Sequence, residues 1–380
     1  MNEREAYIAL NMTDLLGPVR VRGLITALGS PQAVFAADRA QLLSVKGIGE
    51  DVAESILAQR DAADPAAEEE KARALGARII TPVDPDYPEP LSKIYDPPLA
   101  LYVRGTLEKK DHHALALVGT RRATHYGLTV ADRLAYQLGK VGFTVVSGLA
   151  RGIDTAAHRG ALKAGGRTIA VLGSALDCLY PPENEKLAEE IVRHGAVISE
   201  YSLGREPDKT TFPYRNRIIS GLSMGVVVVE AGPTSGALHT VEQALEQGRT
   251  VFAVPGRVDY PTSKGPHRLI KTGARLVEDV DDILQEFEFL IPPETRREVE
   301  KLDSRPSVVL NDAEQQIVRA LWEEPLDVDS LTRQTGLKSH EVSSLLIGLE
   351  MKRIVRMLPG RLVELAEGLR EKPEVEKPEH

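Results

Sequence analysis

The stretch ALALVGTRRATHYGLTVADRLAYQLGKVGFTVVSGLARGIDTAAH, residues 114–158, decides the fold. It holds two apolar, β-rich runs, 114–118 and 143–146, separated by the helical pattern of 126–142. Each run stops at a glycine-rich turn that carries arginine: Gly119-Thr120-Arg121-Arg122 and Gly148-Leu149-Ala150-Arg151. Runs with no polar alternation indicate strands covered on both faces, the mark of a parallel sheet. A turn that follows a strand and opens a helix points backbone N–H groups and a positive dipole end at whatever binds there.

The alternation continues through apolar runs at 168–172, 196–199, 226–230 and 250–254, with a further amphipathic pattern at 237–248. The expected class is α/β, an extended Rossmann-like doubly wound sheet built from right-handed crossovers. Such sheets bind ligands beyond the carboxyl ends of their strands. Sequence order therefore puts Gly119, Thr120, Arg121, Arg122, Gly148, Arg151, Arg215, Asn216, Arg217, Ser235 and Gly236 on one rim. That many cations there suggests a ligand with several phosphates.

Outward from the sheet, residues 1–65 read as short helices. Gly47-Ile48-Gly49 separates two helical stretches in LLSVKGIGEDVAESIL (42–57), a spacing that resembles a helix-hairpin-helix, and LLGPVRVRGLITALG (15–29) reads as a degenerate copy. Turn amides of this kind approach DNA phosphates, or the glycines simply permit tight turns. Residues 61–75 read as a solvated helix or linker. Six prolines in 81–98 argue against regular structure there, and 98–105 reads as a strand. The sheet domain spans 66–290, a linker 291–309, and a winged helix 310–366: three helices and a hairpin turning at Pro359-Gly360. The charged, proline-containing tail 367–380 is expected to be disordered.

Net charge is −9, which by itself disfavours a nucleic-acid partner. The distribution removes that objection. Residues 112–275 hold 20 lysines and arginines against 14 acids, while the rest of the chain holds 27 against 42. No apolar run approaches the length of a membrane span. One cysteine, Cys178, excludes an intrachain disulfide, and an N-terminus without a signal-like apolar core adds to the expectation of a cytosolic setting.

The turn after 114–118 lacks the second glycine of G-x-G-x-x-G, and no G-x-x-x-x-G-K-[ST] occurs. Dinucleotide and P-loop chemistry are disfavoured on those grounds. Arg121 is the first candidate for a bidentate phosphate contact, with the Gly119 and Thr120 amides contributing, against a surface salt bridge. Asp154 and His158 share a helix face at i and i+4. They read as a metal or acid–base pair, or as a capping carboxylate and a packed histidine. Arg215-Asn216-Arg217 reads as a phosphate bracket or as internal bridging to Glu200 or Glu230. Lys186 and Lys264 suit non-specific phosphate contact, or are simply solvated. Tyr180, Phe212 and Tyr214 lie beside the basic turns, where bases stack in single-strand binders.

In this order, VGTRRATHYG (118–127), SGLARGIDTAAH (147–158), VLGSALDCLYPPENEKL (171–187), FPYRNRIISGLS (212–223) and SGALHT (235–240), followed by FAVPG (252–256) and GPHRLIKTGA (265–274), resemble the DNA processing protein A (DprA/Smf) family. The resemblance implies a Rossmann-like core that binds single-stranded DNA, dimerises and loads RecA recombinase during natural transformation, with no catalytic residue, metal or cofactor. It implies phosphate contact by Arg121 and places Lys186 along the DNA path. Two other functions are weighed. A nucleotide phosphoribohydrolase-like enzyme would need adjacent glycines that AGPTSGALHTVEQA (231–244) lacks, although Glu230 and Glu242 remain. A transcriptional regulator would need a cationic winged helix, and 310–366 holds seven basic residues against nine acidic ones.

Overall fold

The computed structural model describes residues 1–290, 311–322, 324–351, 354–358 and 362–365. Two units separate near residue 300: the helical segment with the sheet, and the C-terminal domain.

Six helices lead the chain: α1 (Glu3–Asn11), α2 (Pro18–Leu28), α3 (Pro31–Ala36), α4 (Arg39–Leu43), α5 (Glu50–Ala62) and α6 (Pro65–Ala74). The two hairpin turns have matching backbones. Leu15 (φ 63°) and Gly47 (φ 89°) are left-handed. The following Leu16 and Ile48 are buried, and Gly17 and Gly49 are extended N-caps of α2 and α5. The degenerate copy is thus a true second hairpin. Leucine holds a conformation that costs it energy, which explains why the copy is hard to see in sequence.

Residues 61–75 are not a linker. Asp64 caps α6 through the Ala67 amide. Inside α6, Glu68 is buried and accepts hydrogen bonds from the Tyr102 hydroxyl and the Leu203 amide, each at 2.9 Å. This ties the helix to the sheet edge.

Nine strands form one sheet: β1 (Ala77–Ile80), β2 (Leu101–Gly105), β3 (Ala114–Val118), β4 (Thr144–Ser147), β5 (Thr168–Val171), β6 (Ala196–Ser199), β7 (Gly225–Val228), β8 (Thr250–Ala253) and β9 (Arg275–Leu276). Their spatial order is β1-β2-β6-β5-β4-β3-β7-β8-β9. From β6 to β9 all pairs are parallel, and β1 and β2 add an antiparallel edge. The expected doubly wound sheet is present, with β1 and β9 as strands the sequence reading did not anticipate. The proline-rich 81–98 also departs from expectation, since it contains one helical turn, α7 (Glu89–Ser92). Pro90 falls in its first turn, where no intrahelical N–H is lost.

Connecting helices are α8 (His125–Lys140), α9 (Ile153–Lys163), α10 (Glu185–His194), α11 (Thr211–Leu222), α12 (Ala237–Glu246), α13 (Lys264–Lys271) and α14 (Val280–Leu284). Period-two alternation divides the core. On β3, Leu115 and Leu117 pack with α8, α9 and α14, while Ala114, Ala116 and Val118 pack with α11, α12 and α13. The chain enters at β3, winds out through β4, β5 and β6, then returns to β7 on β3's other side. The crevice beyond the ends of β3 and β7 is therefore a topological switch point, where open α/β sheets bind ligands.

The C-terminal unit holds α15 (Asp312–Ala320), α16 (Val328–Thr335) and α17 (Ser339–Met351), with strands β10 (Leu326–Asp327), β11 (Val355–Leu358) and β12 (Leu362–Leu365). The strands pair in the order β10-β12-β11 around a core that includes Ile317, Leu331, Leu346 and Val363. This is the expected winged helix. The linker 291–309, the Pro359-Gly360 turn and the tail 367–380 lie outside the described residues.

Candidate nucleic-acid interface

A cleft of about 700 Å³ opens at the switch point. Its walls come from the turn after β3 (Thr120, Arg121, Arg122), the start of α11 (Phe212, Arg215, Asn216), Ser235 and Gly236 at the start of α12, and Tyr180 and Lys209.

The β3 turn is fixed from behind by Glu230. The Thr120 amide donates to the Glu230 carbonyl at 2.7 Å. The Glu230 carboxylate accepts from the Thr124 amide (2.9 Å) and hydroxyl (2.6 Å) and from the Thr262 hydroxyl (3.2 Å). Thr124 in turn caps α8. A side chain on Gly119 would meet Ile153 Cγ1 at 2.5 Å, so glycine here serves close packing of the turn on α9. These bonds correct one expectation. The Thr120 amide is consumed inside the protein, and the Arg122 amide donates to the Thr120 hydroxyl at 3.2 Å. Neither of these two amides is left free to meet a phosphate.

Arg121 is exposed, and its guanidinium lies 4.9 Å from the centre of the Phe212 ring. Among the described residues it has no carboxylate partner, and the same holds for Arg122 and Lys209. The Phe212 ring packs on Tyr180 at 5.8 Å. Tyr180 packs on the Arg151 guanidinium at 5.7 Å. Cation, ring, ring and cation thus follow one another along the mouth of the cleft. Arg151 joins this row but is already paired, holding both oxygens of Glu183.

Arg215 and Arg217 depart from the expected bracket. Arg215 is buried and donates to the carbonyls of Gly148 (2.9 Å) and Val171. A side chain on Gly148 would meet its Nη1 at 2.6 Å. Gly148 is therefore small to admit Arg215, not to bring backbone to a phosphate. Burial and the neighbouring Arg121 charge lower the Arg215 pKa to about 10, with Asp154 opposing. The group stays charged at neutral pH and lies under the cleft floor.

Arg217 is removed from the rim altogether. It is 1% exposed, bonds both Glu200 oxygens at 2.6 Å, lies 2.9 Å from Asp96, and stacks on Tyr214 at 3.9 Å. The internal bridging reading holds for it, through Glu200. Asn216 is also buried and donates to the Gly236 carbonyl at 3.3 Å, which fastens the α12 turn to α11.

Asp154 and His158 do not act on each other. The Asp154 carboxylate accepts from the Gly148 and Ala150 amides at 3.2 and 3.3 Å, and burial raises its pKa. His158 Nδ1 lies 2.7 Å from the Thr168 hydroxyl. That hydroxyl donates to the Val145 carbonyl at 2.7 Å, so Nδ1 carries the hydrogen. Burial pushes the His158 pKa down to about 3. Between Gly148 and Ala150 lies a backbone departure: Leu149 at φ 55°, held by its buried side chain and by the Asn184 side-chain amide on its carbonyl at 2.8 Å.

The two distal lysines stand apart from the cleft. Lys186 is exposed on α10, and Lys264 donates to the Val258 carbonyl at 2.7 Å; neither lines the cleft. The sequence reading missed Lys209. Its signal was available: a cation one turn before Phe212, in DKTTFPYRNR (208–217).

Among known proteins, residues 78–288 match the family of DNA recombination-mediator protein A, 302–361 the DprA winged helix domain, and 10–61 a SAM-like helix-hairpin-helix tandem. Protein Smf of Synechocystis is 34% identical, over 94% of this chain and 98% of its own. The crystal structure of DNA processing protein A from Streptococcus pneumoniae aligns with a TM-score of 0.66 at 35% identity, covering 75% of this chain and 98% of the other. A structure of the Helicobacter pylori protein, described for its single-stranded DNA binding mode, aligns with a TM-score of 0.50 at 30% identity, covering 56% and 97%. With these matches, and with the cleft at the switch point of its sheet, the chain belongs to the DNA recombination-mediator protein A (DprA/Smf) family.

Proposed function

We propose that this protein binds single-stranded DNA in the switch-point cleft, without regard to sequence, and delivers the strand to a RecA-type recombinase during natural transformation. The carrying observation is Arg121: an exposed guanidinium without a carboxylate partner, stacked on Phe212 at the cleft mouth. Arginine offers phosphate a planar fork, and the adjoining rings offer bases a stacking face whatever their identity. Lys209 and Arg122 extend the cationic rim, and the buried Arg215 adds charge beneath it. The single-stranded DNA binding described for the Helicobacter pylori protein supports the same ligand class. In this reading the protein is a cytoplasmic homodimer, and two rims on one strand raise the effective concentration of the second contact.

The reading is non-catalytic. Glu230, a carboxylate a hydrolase would use, is buried behind the β3 turn as a capping group, and Glu242 is exposed on α12 beside His239 at 3.0 Å. Among the described residues no helix is long and apolar enough to cross a membrane.

The test is fluorescence anisotropy with oligo-dT, a mixed-sequence single strand and a duplex of equal length across a salt series. Similar affinity for both single strands, weak duplex binding and a steep salt slope are expected. Preference for duplex, or for one sequence, overturns the reading. Recombinase delivery is checked by RecA filament assembly on strands precoated with a single-strand-binding protein, which this protein should accelerate.

A further inference from the structure

Phe212 and Pro213, in the first turn of α11, line the cleft. The next residue, Tyr214, turns away from the cleft and is 39% exposed. It reaches the first hairpin turn: a side-chain carbon on Gly17 would lie 3.7 Å from its hydroxyl.

The surface around that turn is both aromatic and cationic. Leu15, Val19 and Tyr95 are 60%, 41% and 70% exposed. Arg22 stacks on the Tyr95 ring, its guanidinium 4.5 Å from the centroid. Arg20 is exposed and donates to the Leu15 carbonyl. Among the described residues neither arginine has a carboxylate partner, and the first turn of α2 carries no acid. A solvent-facing ring with a cation on its face offers stacking for a base beside charge for a phosphate.

The second hairpin turn has the same backbone but opens its helix with acids. Glu50 and Asp51 open α5, and Arg39 is paired with both Glu50 and Glu54, which leaves Lys46 as the exposed cation of the turn. The sequence draws the eye to this second turn through its glycines, yet its acids repel a phosphate.

We propose that Leu15, Val19, Arg20, Arg22 and Tyr95 form a second single-stranded DNA contact, continuing the strand's path from the cleft past Pro213 and Tyr214 onto the first hairpin. This rests on the cleft reading above. Arg20 and Arg22 take phosphates, and Tyr95 takes a base.

The test uses the full chain and labelled dT of two lengths, about 6 and about 20 nucleotides, spanning the range of single-strand site sizes. The Arg20→Ala, Arg22→Ala double variant should bind the short strand like wild type and the long strand roughly tenfold more weakly, its salt slope lowered by about 1.4, or 0.7 for each phosphate lost. Tyr95→Ala should weaken the long strand and leave the slope unchanged. A double variant that binds the long strand like wild type, or loses both lengths equally, overturns the inference. Arg121→Ala separates the two readings. If it weakens both lengths while the double variant weakens neither, only the hairpin contact fails; if it weakens neither length, the cleft reading fails.

Discussion

Replacing Arg217 by methionine tests whether a charge that reads as a ligand in sequence is structural. Arg217 is 1% exposed and holds Glu200 through two hydrogen bonds of 2.6 Å, with Asp96 at 2.9 Å. Methionine keeps much of the packing and removes the charge. Glu200, itself 7% exposed, then keeps a buried carboxylate without a counter-ion. Breaking a buried pair in this way costs about 3–5 kcal/mol, and at roughly 2–4 °C per kcal/mol for a domain of this size the melting temperature should fall by about 6–20 °C. Changing Glu200→Leu in the same protein removes the stranded charge and should restore a large part of that loss, because apolar replacement of a buried pair is often near neutral. The assay is a thermal melt of wild type, both single variants and the double variant, read as a coupling energy. Strand binding is then measured well below each midpoint. Folded Arg217→Met should bind single strands like wild type. An unchanged melt with lost binding would refute the assignment and return Arg217 to the interface.

On the proposed reading Glu183 competes with DNA for Arg151, since its carboxylate accepts from that guanidinium's Nε and Nη2. Glu183→Gln should tighten single-strand binding by roughly two- to fivefold at low salt and less at high salt; an unchanged dissociation constant would mean Arg151 takes no part. His158 is buried with its pKa lowered from 6.5 to about 3. Its contribution is present above pH 6.5 and is lost as pH falls, because the unfolded chain takes up a proton that the folded chain refuses. Stability should drop by roughly 2 kcal/mol between pH 6.5 and 5, read from urea midpoints, and His158→Asn should lose that dependence; an equal slope in the variant would assign the loss to other groups. Gly148→Ala places a carbon 2.6 Å from the Arg215 guanidinium, which two carbonyls hold in place, so a loss of about 1–3 kcal/mol is expected; a neutral variant would show that Arg215 is free to move.

The strands from β3 to β8 are legible because parallel strands buried on both faces are written as unbroken apolar runs. β1 is not, because its sequence Ala-Arg-Ile-Ile is four residues long and exposes Arg78. The row of glycine-rich turns correctly locates the rim, since strand ends in a doubly wound sheet share one side. What each polar residue does at that rim is less legible. Arg121 and Arg215 look alike in sequence, and only their surroundings separate them: an open ring face for one, the carbonyls of Gly148 and Val171 for the other. Arg217 and Glu68 are both paired across the fold, Arg217 with Asp96 and Glu68 with Tyr102 and Leu203. Glu68, satisfied by partners distant in sequence, reads as solvated until the chain is folded, whereas the Arg217 bridge to Glu200 is one of two readings the sequence leaves open. Lys209 shows the reverse, an ordinary-looking loop lysine that the topology brings to the cleft wall.

The most direct measurement is single-strand binding by Arg121→Ala across a salt series, with the melting temperature as a control for folding. Loss of one charge-assisted phosphate contact should weaken oligo-dT binding roughly tenfold or more and lower the salt slope by about 0.7, with the melt unchanged because the side chain is exposed. A variant with wild-type affinity and slope would contradict the placement of the strand in the switch-point cleft.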